Sequence, residues 1–266
     1  MSNDHAARKA QTKTLFNTVS PDYDSGPGCF AHFGRRLVEV ASINSGAHVL
    51  DIASGRGAVL FPAAERVGAG GEVVGIDLAD AMAHATSEEA ASRGLKARVS
   101  VMDAEELTFP DESFDCVTCG FGIMFFPDQD RGLAHMRRVL KPGGCLGLST
   151  WRVAQVDELH PILKEIGIPP TRIPGWITEP DVLESLILRN GFTGVSVKID
   201  SKEFRYANAE EVWQQGRGTG MRRVLDTLDA TQKEHALSLL TERMKQHQRG
   251  DGYYLEATAL LAVARR

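Results

Sequence analysis

The 266-residue sequence has no run of five or more like charges, and no uninterrupted apolar stretch approaches the length of a membrane span. Its formal net charge is -5. Binding to nucleic acid through charge needs a basic patch, and a transmembrane helix needs about 20 consecutive apolar residues. We therefore expect neither nucleic acid nor a membrane as a partner. The opening segment MSNDHAARK lacks the apolar core of a signal peptide, which indicates a cytoplasmic protein.

Cysteine is scarce, and its spacing does not favour a metal site. The four cysteines are Cys29, Cys116, Cys119 and Cys145. Cys116 and Cys119 form a C-x-x-C pair inside the apolar run 114–121, which is typical of a buried strand. An offset of three places strand side chains on opposite faces, so we predict that both cysteines pack in the core. No second C-x-x-C or H-x-x-x-H pair supports zinc, and we expect no metal.

The most informative segment present is a strand followed by a turn of small residues. Residues 47–57 read AHVLDIASGRG, an apolar strand that ends in Asp51. The small residues after it are Ala53, Ser54, Gly55 and Gly57. Small residues at the carboxyl edge of a parallel sheet let the backbone approach a ligand that a Cβ would exclude. This pattern predicts a nucleoside-binding turn.

Two further strand-like runs also end in acids. The run 71–77 ends in Asp77, about twenty residues beyond Gly57, where a carboxylate can accept ribose hydroxyls. The run 97–102 precedes Asp103. A glycine turn followed by an acid suits NAD as well as an adenosine cofactor. However, the G-x-G pair lacks the third glycine of the dinucleotide fingerprint, since that position is Leu60. Three acids repel a pyrophosphate and favour an ammonium, a ribose diol and an exocyclic amine, the groups of S-adenosylmethionine.

Several segments resemble the class I S-adenosylmethionine-dependent methyltransferases, in the branch of the ubiquinone/menaquinone-biosynthesis methyltransferases and many small-molecule O-, N- and C-methyltransferases. The segments that carry the resemblance are VLDIASGRGAV (49–59), VVGIDLA (73–79), residues 103–128, RVLKPGG (138–144) and LFNTVSPDYDSG (15–26). The resemblance covers about residues 14–152. It implies an α/β, doubly wound, Rossmann-like seven-stranded sheet with an antiparallel last strand and helical lid insertions. Strands that alternate with helices along the chain agree with that fold class.

The resemblance also implies a set of cofactor-binding residues. They are Tyr23, Asp51, Ala53, Gly55, Gly57, Asp77, Leu78, Met82, Asp103, Ala104, Gly120 and Phe121. Asp51 is expected to hold the ammonium group, Asp77 the ribose and Asp103 the adenine amine. Ala53 replaces the glycine that is usual at the first motif position. A methionine early in a helix packs in a core at least as often as under adenine, so both readings of Met82 stay open.

The organisation we expect is a helical cap over residues 1–45, a cofactor-binding core over 46–152, and the rest of the sheet over 153–266. The last part would carry two lid insertions, at about 153–177 and 204–252, above the cofactor edge. We expect the first of them to be a loop, because it contains four prolines. Aromatic residues that could line an acceptor site are Phe125, Phe126, Trp151, Trp176, Phe204, Tyr206 and Trp213.

The function we predict is methyl transfer to an O, N or C atom of a small organic acceptor, natural-product or quinone-like. A sulfonium methyl is already activated, so the enzyme mainly supplies orientation and a dry cavity. A base is needed only for an acceptor that arrives protonated, and His32 and His160 are the candidates. Arginines 217, 222 and 223 could meet an acidic acceptor. A non-methylating cyclisation or rearrangement and an NAD-dependent oxidoreductase remain alternatives, and a homodimer is an open option.

Overall fold

The architecture is a twisted sheet whose strands are joined by helices. The computed structural model describes residues 3–169 and 175–266. The strands in these ranges are β1 (His48–Ile52), β2 (Glu72–Asp77), β3 (Ala97–Val101), β4 (Phe114–Gly120), β5 (Leu140–Val153), β6 (Thr193–Tyr206), β7 (Gln248–Arg249) and β8 (Gly252–Arg265). They pair in the order β3-β2-β1-β4-β5-β8-β6, and the short β7 pairs with β8.

The strand directions confirm the predicted doubly wound sheet. The pairs among β1 to β5 are parallel, and β8 is antiparallel to both β5 and β6. Two-residue β7 makes the sheet eight-stranded instead of seven-stranded. Strand order reverses at β1, which lies between β2 and β4. In open α/β sheets, ligands bind outside the carboxyl ends of the strands at such a reversal point.

Helices cover both faces of the sheet and its carboxyl edge. They are α1 (Asn3–Val19), α2 (Cys29–Val40), α3 (Leu60–Val67), α4 (Asp80–Ser92), α5 (Gln129–Val139), α6 (Leu159–Glu165), α7 (Pro180–Arg189), α8 (Ala209–Arg217), α9 (Arg222–Leu225) and α10 (Ala230–Met244). Within the described ranges, we find no helix with the length and apolarity that crossing a bilayer requires.

The core divides between the two faces of the sheet, as the alternation of strand side chains dictates. Leu50 and Ile52 of β1 pack with Leu133 and Met136 of α5 on one face. Val49, the residue before Leu50 in β1, packs on the other face with α2 and α3. Successive strand residues point to opposite faces, so β1 presents apolar side chains on both faces and is covered on both sides. All four cysteines are free and buried, and the burial of Cys116 and Cys119 agrees with the core packing predicted for the C-x-x-C pair.

The two predicted insertions pack against each other in a core that they share with α2 and with strands β5 and β8. Leu159 and Ile162 of α6, Trp213 of α8 and Leu240 of α10 belong to one buried cluster, each at most 1% exposed. The first insertion is therefore not a plain loop, since it contains α6. Pro161 fits in α6 because it lies in the first helical turn, where no backbone N–H is needed. Pro170 and Pro174 lie outside the described residues.

The shared core of the insertions should contribute to global stability. We expect Leu240→Ala to lower the free energy of unfolding by about 2–5 kcal/mol, because it opens a cavity among side chains that cannot fully close it. The matched control is Leu188→Ala in α7, where the side chain is 48% exposed and the loss should stay within about 0.5 kcal/mol. Urea denaturation measures both. Equal losses for the two variants would contradict a packed insertion core.

Candidate functional site

A cavity of about 390 Å³ opens at the carboxyl edge of the central strands. Its wall is built from the strand ends, α1, the loop before α2 and both insertions. Of the predicted cofactor-binding residues, those that line it are Tyr23, Ala53, Gly55, Asp77, Leu78, Asp103, Ala104, Gly120 and Phe121. Asp51 lines a smaller adjoining cavity and not the large one. The residues that line both cavities are Tyr23, Ala53, Gly55, Gly120 and Phe121. The topology thus brings most of the predicted set to one place.

The turn after β1 is held in left-handed backbone conformations. Gly55 has φ of +51°, and Ala53 has φ of +54° in spite of its Cβ. Glycine adopts this region freely, whereas a Cβ there costs about 1–2 kcal/mol per residue. The departure from the usual glycine at position 53 is therefore a source of strain beside the cavity. Such strain persists only where the surrounding structure enforces it.

Asp51 is the acid of β1, and one of its two carboxylate oxygens is buried without a partner. The residue is 1% exposed. Its Oδ1 accepts a hydrogen bond from the Thr118 hydroxyl at 2.8 Å, while Oδ2 has no hydrogen-bond partner in the described structure. Burial raises the pKa of Asp51 to about 7; the Thr118 hydrogen bond opposes this shift and the nearby Asp77 charge adds to it. An unpaired buried carboxylate oxygen is costly, so this position suits a cationic ligand group.

Asp77 ties the turns after β1 and β2 together. Its Oδ2 accepts the Gly55 N–H and its Oδ1 accepts the Ala79 N–H, both at 2.9 Å. Burial raises the pKa of Asp77, and these backbone hydrogen bonds oppose that shift. Each carboxylate oxygen has a second lone pair, so the group can hold the turns and still accept hydroxyls from a ligand. Asp77 therefore has a structural role that its motif position did not reveal.

Asp103 faces a lysine that sequence reasoning missed. Lys9 of α1 places its Nζ 2.7 Å from the carboxylates of both Asp103 and Glu105, and Glu105 is almost fully buried. Burial works against a charged lysine, but hydrogen bonds to the two acids outweigh it and raise the pKa of Lys9. The ammonium group of Lys9 thus covers the end of the cavity where an adenine amine was predicted. Nothing local marks Lys9, because its partners lie more than ninety residues away along the chain.

Aromatic rings form the wall between the two cavities. Tyr23 stacks on Phe30 with ring centroids 4.8 Å apart, and Phe121 stacks on Trp151 at 4.1 Å. Burial, with the charges of Asp24 and Asp77, raises the pKa of the Tyr23 phenol, which keeps the hydroxyl protonated. Asp24 fixes this loop by accepting the N–H groups of residues 30 and 31 at the start of α2. The predicted residue Tyr23 therefore lines the cavity with a protonated hydroxyl, and its neighbour Asp24 anchors the loop that carries it.

Two predicted cofactor-binding residues, Met82 and Gly57, line neither cavity. Met82 is fully buried in a core cluster with Val19 and Ala79 and does not line either cavity. Gly57 lies behind the turn, where an added Cβ would come 2.5 Å from the Phe61 ring, so packing explains this glycine. After β1 the chain leads away from the cavity into α3, and after β2 it leads away into α4. Neither Gly57 nor Met82 therefore reaches the cavity.

The two candidate bases separate in the structure. His160 lines the large cavity and places Nδ1 3.4 Å from a carboxylate oxygen of Asp157. His32 lies outside the cavity, with Nδ1 3.4 Å from Nζ of Lys202. Successive residues of a helix point about 100° apart. Phe33 of α2 is buried in the core, so the side chain of the adjacent His32 points in a different direction. His32 is therefore withdrawn as a catalytic candidate, and the role of His160 stays a prediction.

Only part of the predicted aromatic set reaches the cavity. Phe125, Phe126, Trp151 and Trp176 line it. The other three rings are core residues: Phe204, Tyr206 and Trp213 are at most 3% exposed and belong to the insertion cluster. Tyr206 donates a hydrogen bond to Gln215, which itself lines the cavity. Whether a ring can meet a ligand therefore depends on which way its strand or helix directs the side chain. Aromatic character alone does not determine it.

This sheet, with acids at the ends of its central parallel strands around one cavity, has the α/β Rossmann-like methyltransferase fold. Residues 49–144 match the family model described as a methyltransferase domain, so the chain contains such a domain. The fold also resembles that of the YcgJ protein from Bacillus subtilis, with a TM-score of 0.62, 19% identity and coverage of 88% of this chain and 98% of that one. The recognition made from the sequence motifs is confirmed.

Curated relatives are small-molecule methyltransferases. The chain is 41% identical to nocamycin O-methyltransferase of Saccharothrix syringae, over 60% of this chain and 55% of that enzyme. It is 42% identical to aklanonic acid methyltransferase DauC of Streptomyces sp. strain C5, over 53% of this chain and 66% of that enzyme. It is 37% identical to the ubiquinone/menaquinone biosynthesis C-methyltransferase UbiE of Idiomarina loihiensis, over 52% of this chain and 57% of that enzyme. The chain thus spans 55–66% of the length of these relatives.

The pKa of Asp51 makes ligand binding pH-dependent in a defined direction. Only the ionised carboxylate can hold an ammonium, so the affinity for S-adenosylhomocysteine should rise up to about tenfold per pH unit below pH 7 and level off above it. Calorimetric titration across this range measures the profile. In Asp51→Asn the affinity should be lower and the profile flatter.

Stability should show the opposite trend in the ligand-free protein. The folded-state pKa of Asp51 is raised from 3.8 to about 7, so the native state binds more protons than the unfolded state between these values. Stability therefore falls as the pH rises through that window, and Asp51→Asn should remove part of the fall. A wild-type affinity for S-adenosylhomocysteine that does not change with pH would contradict an ammonium contact at Asp51.

Proposed function

We propose that the chain is an enzyme that binds S-adenosylmethionine at the carboxyl edge of β1–β4 and transfers its methyl group to a small organic acceptor. The observation that carries the proposal is the buried, partnerless Oδ2 of Asp51 beside Asp77. Two buried carboxylates facing a cavity favour a ligand that brings positive charge and hydrogen-bond donors. A dinucleotide would instead bring a pyrophosphate to these acids.

Each group of the cofactor has a matching group on the protein. Asp51 would accept from the ammonium, and Asp77 would accept from the ribose hydroxyls with the lone pairs that the backbone leaves unused. Asp103 would accept from the adenine amine, with Leu78 as an apolar wall. When bound, the cofactor supplies an activated sulfonium methyl. The chain's own part is to orient the acceptor and exclude water.

The other half of the cavity would hold the acceptor. Its apolar surface comes from Met124, Phe125, Trp176 and Met221, which suit a ring-bearing molecule. His160 is the candidate base for an acceptor whose nucleophilic atom is protonated at neutral pH. An acceptor that is already ionised needs no base. We expect no metal in this reaction, since the cofactor alone activates the methyl group.

The names of the relatives support a natural-product acceptor and O-methylation as the first candidate, with N or C attack as alternatives. Stoichiometric release of S-adenosylhomocysteine distinguishes methyl transfer from a non-methylating cyclisation or rearrangement. The cytoplasmic location and a homodimer remain predictions of the sequence.

The cofactor assignment makes a prediction for Asp77. Asp77→Asn should weaken S-adenosylhomocysteine binding about tenfold or more, because hydrogen bonds to a charged group are worth about 1.5–3 kcal/mol. Asparagine keeps one acceptor oxygen for the turns, whereas alanine would leave two buried N–H groups unpaired. Isothermal calorimetry gives the affinity, and circular dichroism checks folding.

The matched control is Asp80→Asn, three residues further on. Asp80 is exposed, pairs with Lys13 and does not line the cavity, so the affinity of this variant for S-adenosylhomocysteine should match that of the wild type.

A ligand stabilises the native state by mass action, so a thermal shift of the wild-type protein with S-adenosylhomocysteine and none with NAD is expected. A shift with NAD alone would exclude the proposed cofactor.

A further inference from the structure

The charged side chains that line the large cavity are almost all paired. Lys9 contacts Asp103 and Glu105. Lys13 contacts Asp80, and His160 contacts Asp157. Asp77 is held by backbone N–H groups. Paired charges neutralise each other locally and leave little net attraction for a ligand.

Two arginines of the cavity lining are exceptions. Arg8 of α1 and Arg223 of α9 both line the cavity. Neither forms a salt bridge or a side-chain hydrogen bond with any residue in 3–169 or 175–266. The cationic neighbours of Arg223 on the same lid are paired, since Arg222 contacts Asp22 and Asp226, and Arg217 contacts Asp226. The other lid arginines, 205, 243 and 249, also form salt bridges. Of the six arginines in residues 204–252, Arg223 is thus the one left without such a contact among the described residues, and it lines the cavity.

The two arginines come from helices that contact each other. Helix α9 lies against α1, and residues 10, 11 and 14 of α1 share a groove with Arg223. The predicted cofactor contacts, by contrast, come mainly from the ends of β1 to β4. Met221, two residues before Arg223, belongs to the apolar wall of the cavity. Free positive charge and apolar surface are thus presented together by the same lid.

We infer that the acceptor is an organic carboxylate, a ring system that carries one ionised carboxyl group recognised by Arg8 and Arg223. This inference rests on the proposed methyltransferase function and names its substrate class. A guanidinium matches the two oxygens of a carboxylate with parallel N–H donors. The rings lie against the apolar wall, and the carboxylate lies at the mouth of the cavity. The two arginines act in recognition and do not touch the transferred methyl group.

The test uses a matched pair of probes, 2-naphthoate and its neutral analogue 2-naphthamide. Each is titrated by calorimetry into the protein saturated with S-adenosylhomocysteine. Two partly exposed arginine contacts predict that wild-type protein binds the carboxylate about tenfold more tightly than the amide. The preference should shrink at high salt, because exposed charges are screened. Arg8→Gln and Arg223→Gln should each weaken naphthoate binding about threefold and leave naphthamide binding unchanged.

Arg217→Gln is the matched control, because Arg217 belongs to the same lid but does not line the cavity. Its preference for naphthoate should equal that of the wild type. Equal affinity for the two probes, no binding of either, or an unchanged preference in both arginine variants would overturn the inference while the cofactor assignment stands. Weaker S-adenosylhomocysteine binding in Arg8→Gln or Arg223→Gln would also overturn it, by assigning the arginines to the cofactor. Failure of wild-type protein to bind S-adenosylhomocysteine would instead remove the proposed function itself.

Discussion

The carboxylate of Asp77 is the contact on which the site depends. It comes from the end of β2, yet it accepts an N–H from the turn after β1 and another from the start of the segment that leads into α4. Two crossover connections are thereby held in one arrangement by a single side chain. Because that arrangement keeps Gly55 and Ala53 in left-handed conformations, the backbone stays back from the cavity, and space for a ligand remains between the strand ends.

The same contact explains the electrostatics of the site. Backbone dipoles stabilise Asp77, but Asp51 receives only one side-chain hydrogen bond and keeps a bare oxygen. A protein built for stability alone would avoid this arrangement, since a buried unpaired charge is among the costliest features a fold can contain. The cost is offset when a cation enters, so the free protein stores part of the selectivity for a positively charged ligand as local instability.

Sequence reasoning located the sheet edge well because the signals there are local. An apolar strand, an acid and a small-residue turn lie within a dozen residues, and the strand ends must meet once the sheet is parallel. Lys9, α6 and the polar second half of β6 were not predicted, for the opposite reason. Lys9 depends on where α1 crosses the sheet edge, and the polar second half of β6 is a strand only because β8 pairs with it. Met82, for which core packing and adenine contact were both left open, packs in a core, and Gly57 packs against Phe61. A motif fixes the position of a residue in the chain but not the direction of its side chain.

The division between the two halves of the cavity follows from how each is held. The cofactor half consists of strand ends, whose positions are set by continuous backbone pairing and by cores on both faces of the sheet. The acceptor half is built mainly by the two insertions, which are joined to the sheet largely through side-chain packing. Side-chain packing tolerates substitution as long as volume is conserved, whereas a shifted strand register moves every residue to the wrong face. Changes in the insertions can therefore alter the acceptor while the cofactor half stays fixed. This is why the sequence motifs are concentrated before about residue 152, and why the identity of the acceptor must be sought in the charges of the lid.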